Sequence, residues 1–293
     1  ADSIGSHFAG HFDKKSVILF ANNFIECVKP LGGNEKNRIY LEPDRKGKHP
    51  NFALEENPKQ INSIKPEKIA ESVCSLLNLP FNYPYSSVFF GQSYLNKFIE
   101  LIPDCAVNTK QFNLDCILVR MDILFNEQCL LEQAKISKVN IITDKPINLK
   151  LLEQIKPSIN EIYYLVTQKN DPSFVESLFN LGIKTHLFSY EDKEYIKSQK
   201  LSYCEFGLIH EKSSLDISKA KEFENIDKKD LFYKSQKFIL SAGKIFPSIA
   251  SYKENLNIEG FEHKILPIID SDFFWRESEH FYFLKKINQE NKS

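Results

Sequence analysis

Closely spaced cysteines are missing from this sequence. Its six cysteines, Cys27, Cys74, Cys105, Cys116, Cys129 and Cys204, are scattered, with no C-x-x-C pair. That spacing argues against a thiolate zinc site and for reduced thiols in a cytoplasmic setting. No apolar run approaches the ~18 residues needed to span a bilayer, so no transmembrane segment is expected. An excess of one charge is missing too. The 38 basic and 39 acidic residues leave a formal net charge of −1, which implies no general attraction to nucleic acid. There is no phosphate-binding P-loop, and no Ser–His–Asp arrangement can be read from spacing. Methionine and tryptophan occur once each. Neither an initiator Met nor a signal-peptide pattern opens the chain.

What is present reads as a globular α/β protein. The hydrophobic fraction is 42% and the charged fraction 26%, near ordinary values for a chain that builds a sizeable core. A length of 293 residues suits roughly two domains. The first stretch to carry chemistry is residues 1–23. A polar turn, Asp2-Ser3-Ile4-Gly5-Ser6, leads into a helix expected over residues 6–12, with Phe8 and Phe12 on one face. A β-branched and aromatic strand follows at residues 16–20. Small and hydroxylated residues at a helix start leave backbone N–H groups unpaired at its positive end, an arrangement suited to phosphate.

The run Asp2-Ser3-Ile4-Gly5-Ser6-His7-Phe8-Ala9, followed by Lys14-Lys15-Ser16-Val17-Ile18-Leu19-Phe20, resembles the C-terminal domain of heptosyltransferase-like glycosyltransferases, glycosyltransferase family 9. The family pattern is roughly D-[ST]-G-x-x-H-x-A. Here Ile4 occupies the usual glycine position and the glycine falls at Gly5. Ile64-Lys65-Pro66-Glu67-Lys68-Ile69 resembles the family's entry to a late helix. The resemblance covers residues 1–79. It implies part of a GT-B fold, in which two Rossmann-like domains face each other. It also implies an inverting transfer from a nucleotide-diphosphate sugar to a glycan or lipid-linked acceptor. Asp2, Ser3, Gly5, Ser6 and His7 would then lie at the donor diphosphate. Such a displacement needs a general base on the acceptor hydroxyl and positive potential on the leaving group. The base would belong to a preceding domain, so no catalytic residue is assigned. The resemblance implies neither metal nor cofactor, and any membrane contact would be peripheral, through the acceptor. Because the motif opens at the first residue, the chain is expected to be a piece of a longer protein.

The rest of the smaller region is expected to hold a loop over residues 21–33, a strand at 38–41, loop over 42–62 and a helix from Pro66 with Ile69, Val73, Leu76 and Leu77 as its apolar stripe. Residues 80–84 read as a linker, residues 85–287 as a second α/β domain and residues 288–293 as a frayed tail. In that second domain short apolar strands are expected at 87–90, 116–121, 139–143, 161–167, 184–188 and 206–210. The last five recur at roughly 22 residues with helical segments between them, the mark of a mainly parallel sheet built from βα units. Helices are expected over 149–155 and 171–181, the latter with Val175, Leu178 and Phe179 inward and Gly182 at its end. A further strand is expected at 238–242, and 213–229 reads as a charged, solvated segment. Consecutive apolar positions in these strands predict a sheet covered on both faces. An open Rossmann-like sheet is preferred to a leucine-rich solenoid, because the repeats share a period and no consensus.

Ligands on such sheets gather at the carboxyl ends of the strands, which points to Asp122, Asp144, Gln168 and Tyr190. Asp270-Ser271-Asp272 has the spacing of a metal-binding D-x-D motif, yet two acids before an aromatic run are common by chance. Gly91-Gln92-Ser93 offers a weak phosphate-turn pattern. His186 and His210 fall in expected strands and read as packing or surface residues. Three functional readings follow: a glycosyltransferase, a non-catalytic α/β binding module fused to a degenerate glycosyltransferase domain, or a second enzyme over residues 85–293 fused to the first.

Overall fold

The computed structural model describes residues 4–50, 59–170, 172–212, 226–262 and 264–287. The chain forms two compact units, one of residues 1–87 with 284–293 and one of residues 88–283. In the smaller unit, helix α1 (Ile4–His11) is followed by strand β1 (Ser16–Leu19), a short helix α2 (Ile25–Val28), strand β2 (Arg38–Leu41) and helix α3 (Pro66–Leu77). Strands β1 and β2 pair in parallel and bury Ile18, Phe20 and Leu41.

Two expectations for this unit change. Helix α1 starts two residues early, and Ile4, Phe8 and Phe12 lie 74, 55 and 63% exposed. Its inward face is Ser6 and Gly10. A Cβ on Gly10 would meet the Pro30 side chain and the Arg38 guanidinium. The smallest residues therefore set the packing face and turn the phenylalanines outward. Arg38 is buried and donates to the carbonyls of Pro30 (3.2 Å), Gly10 (3.1 Å) and Gly32, tying α1 to the loop before β2. Helix α3 begins at Pro66 as expected and ends where Asn78 turns left-handed at φ +55°. Its buried face runs through Ser72, while Val73 and Leu77 point to solvent. The loop expected at 21–33 contains α2. Residues 51–58 of the next loop lie outside the described residues.

The larger unit is α/β with a mainly parallel sheet, as the strand–helix alternation predicts. After β3 (Tyr85–Phe90) come β4 (Phe98–Leu101), β5 (Cys116–Arg120), α4 (Glu127–Ile136), β6 (Lys138–Thr143), α5 (Leu149–Ile155), β7 (Ile159–Leu165), α6 (Ser173–Asn180), β8 (Thr185–Ser189), α7 (Lys193–Tyr203) and β9 (Ile209–Glu211). Then follow β10 (Leu231–Ser235), β11 (Lys237–Ser241), β12 (Lys244–Phe246), α8 (Ile249–Lys253), β13 (Leu266–Pro267), α9 (Asp272–Arg276) and β14 (Phe281–Lys286). The eight-stranded sheet runs β12-β11-β4-β5-β6-β7-β8-β9, parallel throughout except for β11–β12. A second sheet runs β13-β10-β14-β3. In the larger unit, Tyr233, Phe274, Phe281 and Phe283 form an aromatic core of their own.

Strands β4 to β9 add to the sheet in chain order. When each strand is laid beside the last and every crossover has the same hand, all crossovers fall on one face. The packing follows that rule. Ile117, Val119, Val139, Ile141, Ile162, Tyr164 and Leu187 pack with Leu130 and Ala134 of α4, Leu152 and Ile155 of α5, Val175 and Leu178 of α6 and Tyr203 of α7. Among the described residues the alternate positions, Cys116, Leu118, Asn140, Ile142, Tyr163, Leu165 and His186, are not packed under α4 to α7 and stay half-buried. Among the described residues the crossover helices α4 to α7 thus cover one face of these strands, not both as expected.

Several element ends also shift. Strand β4 was not anticipated, because it is short and carries Glu100. Strand β9 shrinks to three residues after Gly207, whose φ of +146° interrupts the run from Phe206. Helix α6 buries Phe174, Val175 and Leu178 and leaves Phe179 62% exposed, and Gly182 follows it at φ +63°. Its expected cap Asp171, the segment 213–225 and the tail 288–293 lie outside the described residues.

Candidate functional site

Side chains on a strand alternate between faces. The residues one step out of phase with the core therefore converge on the face of the sheet opposite α4 to α7. They line a cavity of about 900 Å3 in the larger unit, walled on another side by Ser93, Lys97, Ile249, Phe273, Arg276, Glu277, Glu279 and His280. Its sheet side carries Cys116, Leu118, Asn140, Ile142, Tyr163, Leu165, His186, Phe188 and His210, and it reaches Asp122, Asp144, Thr167 and Tyr190 at the carboxyl ends of the strands. Three of the four residues expected to mark a site there thus line it. Gln168, the fourth, donates to Glu191 at 3.3 Å, and Glu191 lines the cavity.

The floor holds a chain of buried charges from three adjacent strands and the segment after α9. Arg120 grips Asp122 with two bonds of 2.8 Å and reaches Glu100 at 2.6 Å. Lys237 lies 2.6 Å from Glu100 Oε1 and 2.7 Å from Glu277 Oε1. The other Glu277 oxygen accepts the Ile249 N–H at 2.7 Å. Each charge is more than four-fifths buried, where unpaired ions are costly. Burial pushes the Glu100 carboxyl up, but the Arg120 and Lys237 charges override it and hold it at about 2. The Glu277 carboxyl stays above its ordinary value, because burial outweighs the single nearby ammonium. Lys237 is held above its usual range by the two carboxylates, against its own burial.

Hydrogen-bonding capacity is left over while charge is not. Arg120 has five N–H groups and Lys237 three. Among the described residues three of those on Arg120 donate to carboxylates, and the Lys237 ammonium lies within ion-pair distance of two carboxylates. Two cations face three carboxylates, so the floor carries no surplus positive charge. Around it are aromatic and neutral polar groups. His186 stacks on Tyr163 with centroids 5.1 Å apart and planes at 18°. Tyr163 donates to Glu161 at 2.6 Å, and burial together with that bond pushes its hydroxyl up to about 12. His280 packs edge-on against Phe98, and burial with the Lys237 charge pushes its imidazole down to about 4, so it is neutral near pH 7.

The residues expected at a donor phosphate lie in the smaller unit. Asp2 and Ser3 are outside the described residues. Gly5, Ser6 and His7 occupy the first turn of α1, with Gly5 and His7 exposed and Ser6 buried. The N–H groups of such a turn have no intrahelical acceptor. Gly91-Gln92-Ser93 is not a phosphate cradle, because Gly91 N–H donates to Phe281 O and Ser93 N–H to Glu279 O, both at 2.8 Å. Ser271 caps α9, while Asp270 accepts the Trp275 indole N–H at 2.8 Å and pairs with Lys228. Among the described residues no group of three His, Cys, Asp or Glu side chains could hold a metal ion. His186 and His210, expected as packing or surface residues, belong to the cavity lining.

Sequence reasoning missed the floor itself. Its signal was a period of two: Phe98 and Glu100 in β4, then Cys116, Leu118 and Arg120 in β5, then Asn140 and Ile142 in β6. No helix among the described residues is long and apolar enough to cross a membrane. No family model, curated protein or solved structure matches this chain.

Proposed function

We propose that the chain serves sugar transfer and that its larger unit is a saccharide-binding module. In this reading the smaller unit lies on the donor side of a glycosyltransferase acting on a nucleotide-diphosphate sugar, with Asp2, Ser3, Gly5, Ser6 and His7 toward the diphosphate. The larger unit holds a glycan or lipid-linked acceptor. The observation that supports the binding role is the charge accounting of the cavity. Spare N–H donors sit on a floor whose charges are spent on one another, beside stacked aromatic rings. A ligand rich in neutral hydroxyls uses those donors and packs its C–H faces on the rings. A polyanion seated on that floor would face a carboxylate excess. The unit needs no chemistry of its own in this role, and no catalytic residue is assigned to it.

The test is calorimetric titration of the intact chain with neutral hexoses and, separately, with nucleotide-diphosphate sugars. Neutral hexoses should bind in the millimolar range typical of small ligands with few contacts, about −4 kcal/mol. Asn140→Trp, which fills the cavity from β6, should abolish that binding. Nucleotide sugars should bind at α1 and lose affinity in His7→Ala. Hexose binding that survives Asn140→Trp would remove the cavity from the account. Nucleotide-sugar affinity indifferent to His7→Ala would remove the donor assignment.

A further inference from the structure

Two cations around the cavity, Arg276 and Lys97, have no carboxylate within salt-bridge distance among the described residues. Arg120 and Lys237 are neutralised on the floor, and Lys212 reaches Glu279 at 3.5 Å. Lys97 is a compact ammonium over the Phe238 and Phe261 rings, 5.7 and 4.6 Å from their centroids. It lacks the planar fork of Arg276 that seats an anion in paired fashion. The guanidinium of Arg276 is not loose. It lies 4.7 Å from the centroid of Tyr190 and 5.7 Å from that of Phe273. Both rings line the same cavity, and Arg276 itself is exposed at the end of α9. Stacking on aromatic faces orients a planar guanidinium and leaves its in-plane N–H groups free to bind an anion in paired fashion. The orienting ring, Tyr190, follows β8 at the carboxyl edge of the sheet, and both Tyr190 and Arg276 are exposed there.

We infer that the saccharide bound in this cavity carries one anionic group, a phosphate or a carboxylate, seated on Arg276 at the mouth while its neutral ring occupies the floor. This rests on the saccharide-binding reading of the same cavity. The alternative role for Arg276 is a helix-end cation that complements the dipole of α9. A helix of five residues offers little dipole, and that role gives no reason for the guanidinium to line a cavity.

Intact chain is titrated by calorimetry with glucose, galactose and mannose, with their 6-phosphates, with the matching uronates and with inorganic phosphate. The wild type should prefer at least one anionic series over its neutral parents by about tenfold or more, the factor a charge-assisted bond supplies. Whether the 6-phosphates or the uronates lead identifies the anion. In Arg276→Gln the ratio of anionic to neutral affinity should fall below about threefold, and raised salt should shrink it in the wild type. The side chain is exposed, so the variant should fold normally, and its thermal midpoint checks this. Equal binding of neutral and anionic sugars by the wild type, or a preference that survives Arg276→Gln, overturns this inference and leaves the saccharide site standing. Inorganic phosphate binding as tightly as the sugar phosphates overturns it as well. No saccharide binding at all removes both.

Discussion

Replacing Lys237 by methionine should cost more than any exposed substitution in this protein, and by an amount that depends on pH. Lys237 holds Glu100 at 2.6 Å and Glu277 at 2.7 Å. Glu100 keeps Arg120 when the ammonium is lost, at 2.6 Å. Among the described residues Glu277 keeps the Ile249 N–H as its hydrogen bond, with the Arg120 charge the remaining cation acting on it. Removing one partner of a buried ion pair costs about 3–5 kcal/mol, because the other is left charged in a poor solvent. Glu277 avoids part of that cost by taking up a proton. From its ordinary value of 4.5, protonation at pH 7 spans two and a half pH units, at about 1.4 kcal/mol each. Because Glu277 is already held above its ordinary value in the wild type, that span is an upper bound. The deficit of Lys237→Met should therefore be at most about 3.4 kcal/mol at pH 7 and shrink to at most about 1 kcal/mol at pH 5. Urea unfolding of wild type and variant at both pH values measures it. The double variant Lys237→Met/Glu277→Gln should recover most of the pH 7 loss, since it removes the stranded charge. A deficit equal at the two pH values, or a double variant no more stable than the single one, would refute this account of the floor.

Acid should weaken the larger unit in two stages. His280 is neutral in the fold down to about pH 4 against an ordinary value of 6.5. Only the unfolded chain binds that proton between these values, so the stability present above pH 6.5 is lost as pH falls through this window, by up to about 3 kcal/mol. Glu100, held at about 2 against 4.5, adds a second loss below pH 4.5. In His280→Phe the slope of stability between pH 6.5 and 4.5 should flatten, and an unchanged slope would exclude His280 as its source. A Cβ on Gly91 would fall inside contact distance of the Glu279 and Ser278 carbonyl groups, and backbone cannot yield as a side-chain end can. Gly91→Ala should thus destabilise by about 1–3 kcal/mol in a thermal melt; an unchanged melting temperature would contradict that packing.

The fold of the larger unit was legible because strands and helices alternate at a near-constant spacing, and that period is enough for a parallel sheet. Which face the helices take was not legible from apolar runs. Ile117, Leu118 and Val119 read as a strand buried on both sides, yet Leu118 faces the cavity while its neighbours face α4. Strand order decides the matter, and strand order depends on β4, a four-residue strand whose Glu100 disguised it. The carboxyl-end residues Asp122, Asp144 and Tyr190 were found because connectivity places them there whatever the cover. The ionic floor was not, because its members are separated by up to 177 positions along the chain, from Glu100 to Glu277, and nothing local marks them as partners. In the smaller unit Phe8 and Phe12 have the spacing of a buried stripe. What overrode it was the close approach of Pro30 and Arg38 to Gly10, a contact that a hydrophobic pattern does not contain.

The central claim, that the face of the sheet opposite α4 to α7 is a saccharide site, is tested most directly by mapping amide chemical shifts of the isotope-labelled intact chain on addition of hexoses and their 6-phosphates at about 10 mM, well into the range where millimolar ligands register. The account predicts shifts concentrated at Leu118, Arg120, Asn140, Ile142, Tyr163 and Tyr190. No shift from any saccharide, or shifts gathered on α4 to α7 across the opposite face, would contradict it.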